Sequence, residues 1–457
     1  MEKISSPFAI TNIRCFIAFR LFFNARFYYP VFTILFLDYG LTIDQFAILN
    51  SVWAATIVIA EVPSGALADI IGRKRLLLAT SVLMVLEMAL LSFVPLHDIT
   101  LVFWAFLLNR IFSGLAEALA SGADEALAYD TLAEQGNRDD WPVVLSVMMR
   151  IKALGMALTM AIGALIYDPA IVNGILQFFG SSVVIDQQTS MRFPIYLTLV
   201  LSILSCISVM LMQEKNPPKV FSDSSSDILR NVRNAFGLTL RAGRWIGTTP
   251  FALVVILFAM GYDHILRMLI TMTSQYFRLI HLPEASFGFI GAFMALLGMY
   301  VPKVAEEMVR RYTPLQNMLW LLLLLLVALC GLAPFIPYWG VFPMALVSIG
   351  IMLTSFFTSH YLNRITESHQ RATVLSFKGL AFNLAYGFIG GAFAALIGAI
   401  RSAKEAADPQ LNESILEKIA FKNAISWSIP YTVILFIALL LLARYLLRNA
   451  AIHRKAG

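Results

Sequence analysis

The stretch EVPSGALADIIGRKR, from Glu61 to Arg75, decides the fold because it places a short charged loop between two long apolar stretches. A charged loop that contains glycines cannot be part of a bilayer span, so it must lie at the aqueous surface. Asp69 and Arg73 are four residues apart, which is the spacing of neighbours on one helix face. Gly65 and Gly72 permit close helix contact and a tight turn. The sequence therefore predicts that one membrane helix ends here and the next begins.

The composition is typical of an integral membrane protein. Of the 457 residues, 59% are apolar and only 14% are charged, whereas soluble domains have about half and about a quarter. The mean hydropathy is +0.76, and the apolar residues fall in blocks close to the ~20 residues that cross a ~30 Å hydrocarbon core. We therefore expect an all-α integral membrane fold that lies in the lipid bilayer.

Twelve apolar segments are long enough to cross the bilayer, and a polar linker separates them into two sets of six. The predicted spans are 11–37, 44–68, 75–95, 101–128, 143–167, 192–213, 249–278, 285–309, 315–335, 338–362, 372–399 and 424–447. They predict an N-terminal six-helix bundle over 1–213 and a C-terminal six-helix bundle over 247–457. Between them, residues 214–246 form a cytoplasmic linker with an amphipathic helix.

The two halves form a weak internal repeat, which indicates two related helix bundles. The charged pair Asp69–Arg73 after the second span has an echo, Glu306–Arg310, after the eighth. Aligning the starts of the second and eighth spans superposes Arg26 on Arg267. The repeat therefore predicts that these two arginines occupy related positions.

The loop resembles the signature of the major facilitator superfamily, G-x-L-A-D-x-x-G-R-K, which joins the second and third of twelve helices. The matching residues are Gly65, Leu67, Ala68, Asp69, Gly72, Arg73 and Lys74. The resemblance covers essentially the whole chain and is to the bacterial-type twelve-helix members. It implies a secondary active transporter, in which two six-helix bundles give alternating access to a central solute site, and a functional monomer.

The resemblance also implies a conformational latch at this loop, where the family's Asp and Arg meet an acidic residue at the cytoplasmic end of helix 4. The expected latch residues are Gly65, Asp69, Gly72, Arg73 and Asp130. Asp124 and Glu125 compete with Asp130 as the acidic member. Glu61, about two turns before Asp69, is either part of this structural cluster or a proton-sensing group.

Ionisable side chains near span centres are candidates for solute binding, because lipid does not tolerate them facing outward. The expected substrate-binding residues are Arg20, Asn24, Arg26, Arg110, Lys152, Arg267 and Tyr386. Arginines and lysines outnumber the carboxylates there even if Arg110 pairs with Glu117, and such a surplus favours an anionic or zwitterionic solute. Arg26 and Arg267 are the expected two-arginine clamp.

Coupling protons are expected at Glu117, Asp263 and His264, since imidazole titrates near neutral pH and a neighbouring carboxylate tunes it. The fifth span contains Gly155 and Gly163 but lacks the Gly-Pro pair typical of proton-coupled drug exporters. Efflux of amphipathic drugs by proton antiport is therefore the alternative function, and proton-coupled movement of a small organic solute is the main one.

Lysine and arginine concentrate in alternate loops, which is typical of cytoplasmic loops in membrane proteins. This pattern places both termini in the cytoplasm and predicts a multi-pass protein of the cell inner (plasma) membrane. It also explains the net charge of +6 without a nucleic-acid partner. The first apolar run has no signal-cleavage site and contains several arginines, so we expect a retained first helix.

Other classes of protein lack support in the sequence. The motifs H-x-x-x-x-D, GxSxG and HExxH of enzymes do not occur, nor does the P-loop of an ATP-driven pump. Cys15, Cys206 and Cys330 have no CxxC spacing and no nearby histidines, which predicts buried free thiols, with no metal site and no cofactor. A receptor that senses a solute without moving it stays open as a minor alternative.

Overall fold

The computed structural model describes residues 6–214, 225–366 and 368–456, and within these ranges the chain is helical and contains no strand. The all-α prediction is therefore confirmed. The first part of the predicted linker, residues 215–224, lies outside the described residues. The side chain of Asp69 is also not described, although the backbone is helical at both Gly65 and Asp69.

Ten α-helices precede the linker in the described part of the chain. They are α1 (Thr11–Asn24), α2 (Phe32–Asp38), α3 (Ile43–Ile71), α4 (Arg73–Phe93), α5 (Ile99–Ala120), α6 (Ala123–Gln135), α7 (Trp141–Tyr167), α8 (Pro169–Phe178), α9 (Gln187–Ser190) and α10 (Phe193–Leu211). The predicted junction of two membrane helices lies at Gly72, between α3 and α4. Its φ of 93° is a conformation that glycine adopts without steric cost.

Nine further α-helices form the second half of the described chain. They are α11 (Ser225–Thr248), α12 (Pro250–Thr271), α13 (Thr273–Leu279), α14 (Ser286–Leu297), α15 (Val301–Arg311), α16 (Pro314–Leu332), α17 (Val341–Ile365), α18 (Ser368–Ala407) and α19 (Glu413–Ala456). Helix α11 covers most of the stretch for which the sequence predicts an amphipathic helix.

Eleven helical segments of the described chain are long and apolar enough to cross a membrane. The predicted first span, 11–37, is not among them because it is broken. Helix α1 ends at Asn24, a 3₁₀ turn follows at Tyr29–Val31, and α2 then begins. Pro30, inside that turn, lacks an N–H and cannot continue a regular helix. Broken backbone at membrane depth is tolerated where protein groups satisfy it.

The chain divides into two compact units. Unit 1 contains Met1–Leu41, Ala55–Phe236 and Pro283–Ala292, and unit 2 contains Thr42–Ala54, Gly237–Leu282 and Phe293–Gly457. Unit 1 has an apolar core whose buried side chains include Phe16, Phe19, Leu77, Met84 and Leu127. Unit 2 buries aromatic side chains such as Phe258, Tyr262 and Phe436, with the last two rings 4.3 Å apart. The domain limits at 213 and 247 stay a prediction.

Candidate functional site

Arg26 lies in the break between α1 and α2 and forms a buried ion pair with Glu87 of α4. The two side chains are 4% and 0% exposed. Arg26 also donates to the Tyr28 hydroxyl at 3.1 Å, and its guanidinium lies 5.7 Å from the centroid of the Phe23 ring. Asn109 of α5 donates to the main-chain oxygen of Glu87 at 2.9 Å. The charge of Arg26 is thus neutralised inside unit 1.

Glu87 is the main functional candidate that the sequence reasoning missed. A signal for it existed, because it is an isolated carboxylate within a leucine-rich membrane span, and such groups are costly unless they are paired. Its partner is 61 residues away in the sequence, so the pairing itself could not be read from spacing.

Arg110 of α5 is also buried and held by its neighbours. Its Nε and Nη2 atoms donate to Asn109 Oδ1 at 3.0 and 2.7 Å. Its guanidinium lies 5.3 Å from the Phe32 ring centroid and 5.5 Å from that of Phe36. The expected partner was Glu117; the structure instead gives Arg110 an amide and two aromatic rings, so the predicted pairing is wrong.

Arg20 of α1 pairs with two adjacent carboxylates of α6. Its Nε lies 2.5 Å from Asp124 Oδ2, and its Nη2 lies 2.7 Å from Glu125 Oε1. Asn24 donates to the main-chain oxygen of Arg20 at 2.8 Å. Asp124 and Glu125 were the competitors for the latch position, and the structure brings them to Arg20 instead.

Lys152 of α7 interacts electrostatically with Glu117, Asp124, Glu125 and Arg20. Glu61 of α3 in turn interacts with Glu117. We call this set the acidic cluster of unit 1; its members are Arg20, Glu61, Glu117, Asp124, Glu125 and Lys152. Four carboxylates and two basic groups interact electrostatically here, so carboxylates outnumber basic groups in this part of unit 1, the opposite of the cationic surplus expected from the sequence.

The predicted latch is partly visible. Arg73, the first residue of α4, forms an ion pair with Asp130 of α6, and the two side chains are 30% and 57% exposed. The structure therefore brings together two of the expected latch residues, with Gly72 at the turn between α3 and α4. The surroundings of Gly65 and the side chain of Asp69 lie outside what the structure describes. That the pair acts as a latch stays a prediction.

In unit 2, Arg267 of α12 is the best-placed candidate for solute binding. Its Nη2 lies 2.8 Å from Asp263 Oδ2 one turn earlier, and its Nη1 donates to Asn383 Oδ1 of α18 at 2.9 Å. Its guanidinium lies 5.3 Å from the centroid of the Tyr386 ring. Lys378 interacts electrostatically with Asp263. We call these five residues the Arg267 group. The Arg267 side chain is 24% exposed, and its guanidinium has contacts with Asp263, Asn383 and the Tyr386 ring.

His264 does not form the expected unit with Asp263. Its Nδ1 lies 2.5 Å from the main-chain oxygen of Met260, and its Nε2 lies 2.9 Å from the Tyr431 hydroxyl of α19. A carbonyl oxygen only accepts, so Nδ1 carries the proton and Nε2 accepts from Tyr431. Asp263, by contrast, faces Arg267. The two neighbouring residues therefore have separate partners.

An apolar cavity of about 200 Å³ lies among α12, α18 and α19 in unit 2. Its walls include Ile265, Met268, Ile389, Phe393, Trp427 and Tyr431. Tyr431 thus both lines the cavity and hydrogen-bonds His264. Within the described residues, no group of three His, Cys, Asp or Glu side chains is placed to hold a metal ion.

The helical spans and the ionisable groups inside them define a multi-pass membrane protein. The model of the Major Facilitator Superfamily matches residues 14–395, and the chain therefore belongs to this family, whose members bind small-molecule solutes. No curated protein matches the sequence.

Several solved transporters share the fold across almost the whole chain. The nucleoside transporter NupG superposes with a TM-score of 0.70 at 12% identity, covering 94% of this chain and 98% of that one. An inward-facing, unoccupied bacterial homologue of the human lysosomal transporter Spinster gives 0.69 at 14% identity, covering 98% and 99%. The D-xylose–proton symporter gives 0.59 at 12% identity, covering 92% and 96%. At such identities the likeness shows the fold alone.

Proposed function

We propose that this protein is a proton-coupled secondary transporter, and not an enzyme, that moves a small zwitterionic organic solute across the cell inner membrane by alternating access. The observation that carries the proposal is the Arg267 group, in which a partly exposed arginine side chain of a membrane helix is held by Asp263 and Asn383. Membership of the family supports transport. The same fold serves a proton symporter of xylose, which supports proton coupling.

Arg267 is proposed to bind a carboxylate of the solute. An arginine offers a planar set of N–H donors that matches a carboxylate with two parallel hydrogen bonds. Asn383 and the Tyr386 ring fix the guanidinium, so little side-chain freedom is lost when the solute binds. Arg26 is not proposed as a second clamp, because Glu87 already neutralises it in a buried pair.

The acidic cluster of unit 1 is proposed to favour a cationic group on the solute, such as an ammonium. Its carboxylates outnumber its basic groups, and Glu117 is exposed although it lies in a membrane-spanning helix. An excess of carboxylates repels an anionic group and attracts an ammonium group, so within unit 1 this set favours the cationic part of a zwitterion over a second carboxylate. Charge complementarity of this kind selects between solutes more than it raises affinity.

Asp263 is proposed as the proton site. It is 6% exposed and lies 2.8 Å from the guanidinium that is proposed to receive the solute. A solute carboxylate and the Asp263 carboxylate compete for the same N–H donors. When the solute takes Arg267, Asp263 loses its closest counter-charge and keeps only the electrostatic interaction with Lys378. It then takes up a proton, since a buried carboxylate without a hydrogen-bonded partner is costly. This exchange links one proton to one solute.

The solute class is tested by thermal shift of the purified protein with amino acids, dipeptides, dicarboxylates, nucleosides and hydrophobic cations. A ligand raises the apparent unfolding temperature according to its concentration relative to Kd. We expect zwitterions to stabilise the wild type but not Arg267→Gln. The matched control is Arg401→Gln, because Arg401 is 27% exposed and also paired with a carboxylate, Glu413; it should keep the response. Stabilisation by dicarboxylates but not by zwitterions contradicts the proposal.

Coupling is tested in proteoliposomes with the best zwitterion of that panel. A pH gradient is expected to drive accumulation by the wild type. Asp263→Asn retains the shape of the side chain but cannot exchange a proton, so it should still catalyse exchange of labelled for unlabelled solute while losing gradient-driven accumulation. Equal accumulation with and without a gradient in the wild type would refute proton coupling.

Efflux of amphipathic compounds is kept as a second candidate because of the apolar cavity in unit 2. Its walls are mostly apolar, with Ser428 and Tyr431 as the residues that carry hydroxyl groups. Apolar pockets with few polar groups are typical of sites for hydrophobic ligands. This function predicts stabilisation by hydrophobic cations in both the wild type and Arg267→Gln, and no response to zwitterions.

A further inference from the structure

The first turn of α4 is capped by a residue from another part of the chain. The first N–H groups of a helix have no partner within it, and α4 has no side-chain cap of its own at Gly72. The two carboxylate oxygens of Glu214 accept these N–H groups, from Arg73 at 3.0 Å and from Lys74 at 3.1 Å. Glu214 follows three residues after the end of α10. An anion at this end of a helix is also favoured by the helix dipole.

Glu214 is held in place through Asn12 of α1, which is 6% exposed. Asn12 Nδ2 donates to the main-chain oxygen of Gln213 at 2.6 Å, and the Gln213 N–H donates to Asn12 Oδ1 at 2.8 Å. Asn12 Nδ2 also donates to the Thr131 hydroxyl at 2.9 Å. One side chain therefore fixes both main-chain polar groups of the residue before Glu214.

These hydrogen bonds connect the two members of the Arg73–Asp130 pair by a second route, through Asn12 and Glu214. Thr131 follows Asp130 directly on α6, and Asn12 connects it to the chain at Gln213 and Glu214. Glu214 then holds the main chain of Arg73, whose side chain returns to Asp130. The ion pair is exposed, and exposed pairs are weak by themselves. The hydrogen bonds of Asn12 and Glu214 hold the chain next to each member of the pair, at Thr131 and at the main chain of Arg73.

The opposite end of α4 is held in a similar way. Arg192, just before α10, donates to the main-chain oxygens of Ser92 at 3.0 Å and Val94 at 2.7 Å. A cation at the end of a helix complements the helix dipole, as the anion does at the start. The residues that flank α10 thus cap both ends of α4, so the two helices are joined at each end.

We propose that Glu214 is a positioning residue of the latch: it fixes the first turn of α4, with Asn12 as its anchor, so that the Arg73 side chain stays at Asp130. Helices α4 and α10 then move as one body. The role of these residues in a latch rests on the proposed transport function. The contacts themselves do not depend on that function, and they can be tested without a solute.

The test is amide hydrogen exchange of the full-length protein in lipid nanodiscs, followed by mass spectrometry. Glu214→Ala should speed exchange at Arg73 and Lys74 by about tenfold or more, because charge-assisted hydrogen bonds are lost there. Glu214→Gln keeps one acceptor oxygen, so its exchange rate at Arg73 and Lys74 should lie between those of the wild type and Glu214→Ala. Gln213→Ala is the matched control, since Asn12 contacts only the main chain of that residue; its exchange should equal that of the wild type.

Trypsin reports the Arg73 side chain separately, because it cleaves after a released and accessible arginine. Glu214→Ala should raise the rate of cleavage after Arg73 several-fold, and Gln213→Ala should not. Exchange in α12, which belongs to unit 2, is the reference for correct folding of each variant. If exchange at Arg73 and Lys74 stays within about twofold of wild type in Glu214→Ala, the cap is refuted. If exchange rises but cleavage does not, the positioning of the Arg73 side chain is refuted.

Discussion

Replacing Glu87 with glutamine leaves the Arg26 guanidinium charged within unit 1, because an amide accepts a hydrogen bond but supplies no negative charge. Both side chains are almost fully buried, so water cannot replace the missing partner. Removing one member of a buried ion pair costs about 3–5 kcal/mol. One kcal/mol shifts the unfolding temperature by about 2–4 °C for a unit of this size, so the expected fall is roughly 6–20 °C.

The assay is the apparent unfolding temperature of the detergent-purified protein, followed by intrinsic fluorescence. Glu413→Gln is the matched control: Glu413 is also paired with an arginine, but its side chain is 72% exposed, so its loss should shift the temperature by no more than about 2 °C. The double variant Arg26→Met/Glu87→Met removes both charges and fills a similar volume. It should be close to wild type or above it, since apolar replacement of a buried pair is often neutral or stabilising.

Two results would refute this account of Arg26. If Glu87→Gln unfolds within about 2 °C of the wild type, Arg26 does not depend on Glu87 and is available to a solute, as the sequence suggested. If the double variant is as unstable as Glu87→Gln, the loss comes from packing around Glu87 rather than from an unpaired charge.

A Cβ atom at Gly163 would overlap the main chain of Phe27, so Gly163→Ala should lower stability by about 1–3 kcal/mol. Gly174→Ala meets no atom within 4 Å and should instead raise stability by up to about 1 kcal/mol; unfolding temperatures that change in the same direction contradict the close approach. Tyr431→Phe leaves His264 Nε2 without its donor and should cost about 1–3 kcal/mol, which an unchanged unfolding temperature would exclude.

Features set by local chemistry could be predicted from the sequence. Apolar length gave the membrane helices, and the Gly72 turn followed from its place between two spans. The break in the first span was not predicted, because the segment is long and apolar enough to cross the membrane as a single helix. It contains Pro30, however, and proline interrupts regular helix geometry. A proline within a long apolar segment is a signal of such a break that the sequence itself carries.

The partners of charged groups could not be predicted, because they depend on packing between distant helices. Arg20 and Asp124 are 104 residues apart, and Arg73 and Glu214 are 141 residues apart. Spacing along one helix suggested Arg110 with Glu117, but Arg110 donates to the adjacent Asn109 and lies against the rings of Phe32 and Phe36. The pair that spacing does describe, Asp263 with Arg267, lies within a single turn of α12.

The choice between an anionic and a zwitterionic solute depends on which charges stay unpaired, not on how many arginines a span contains. The sequence places more arginines than carboxylates in the spans. In the structure, Glu87 neutralises Arg26, and the carboxylates of the acidic cluster outnumber the basic groups with which they interact electrostatically. Arg267 differs because its partner is a single carboxylate on the same helix. In the mechanism that we propose, a proton on Asp263 removes the negative charge that pairs with Arg267, so solute binding at Arg267 and protonation of Asp263 favour each other. A solute with no carboxylate would leave the protonation equilibrium of Asp263 unchanged, since a ligand shifts only the states that it binds unequally.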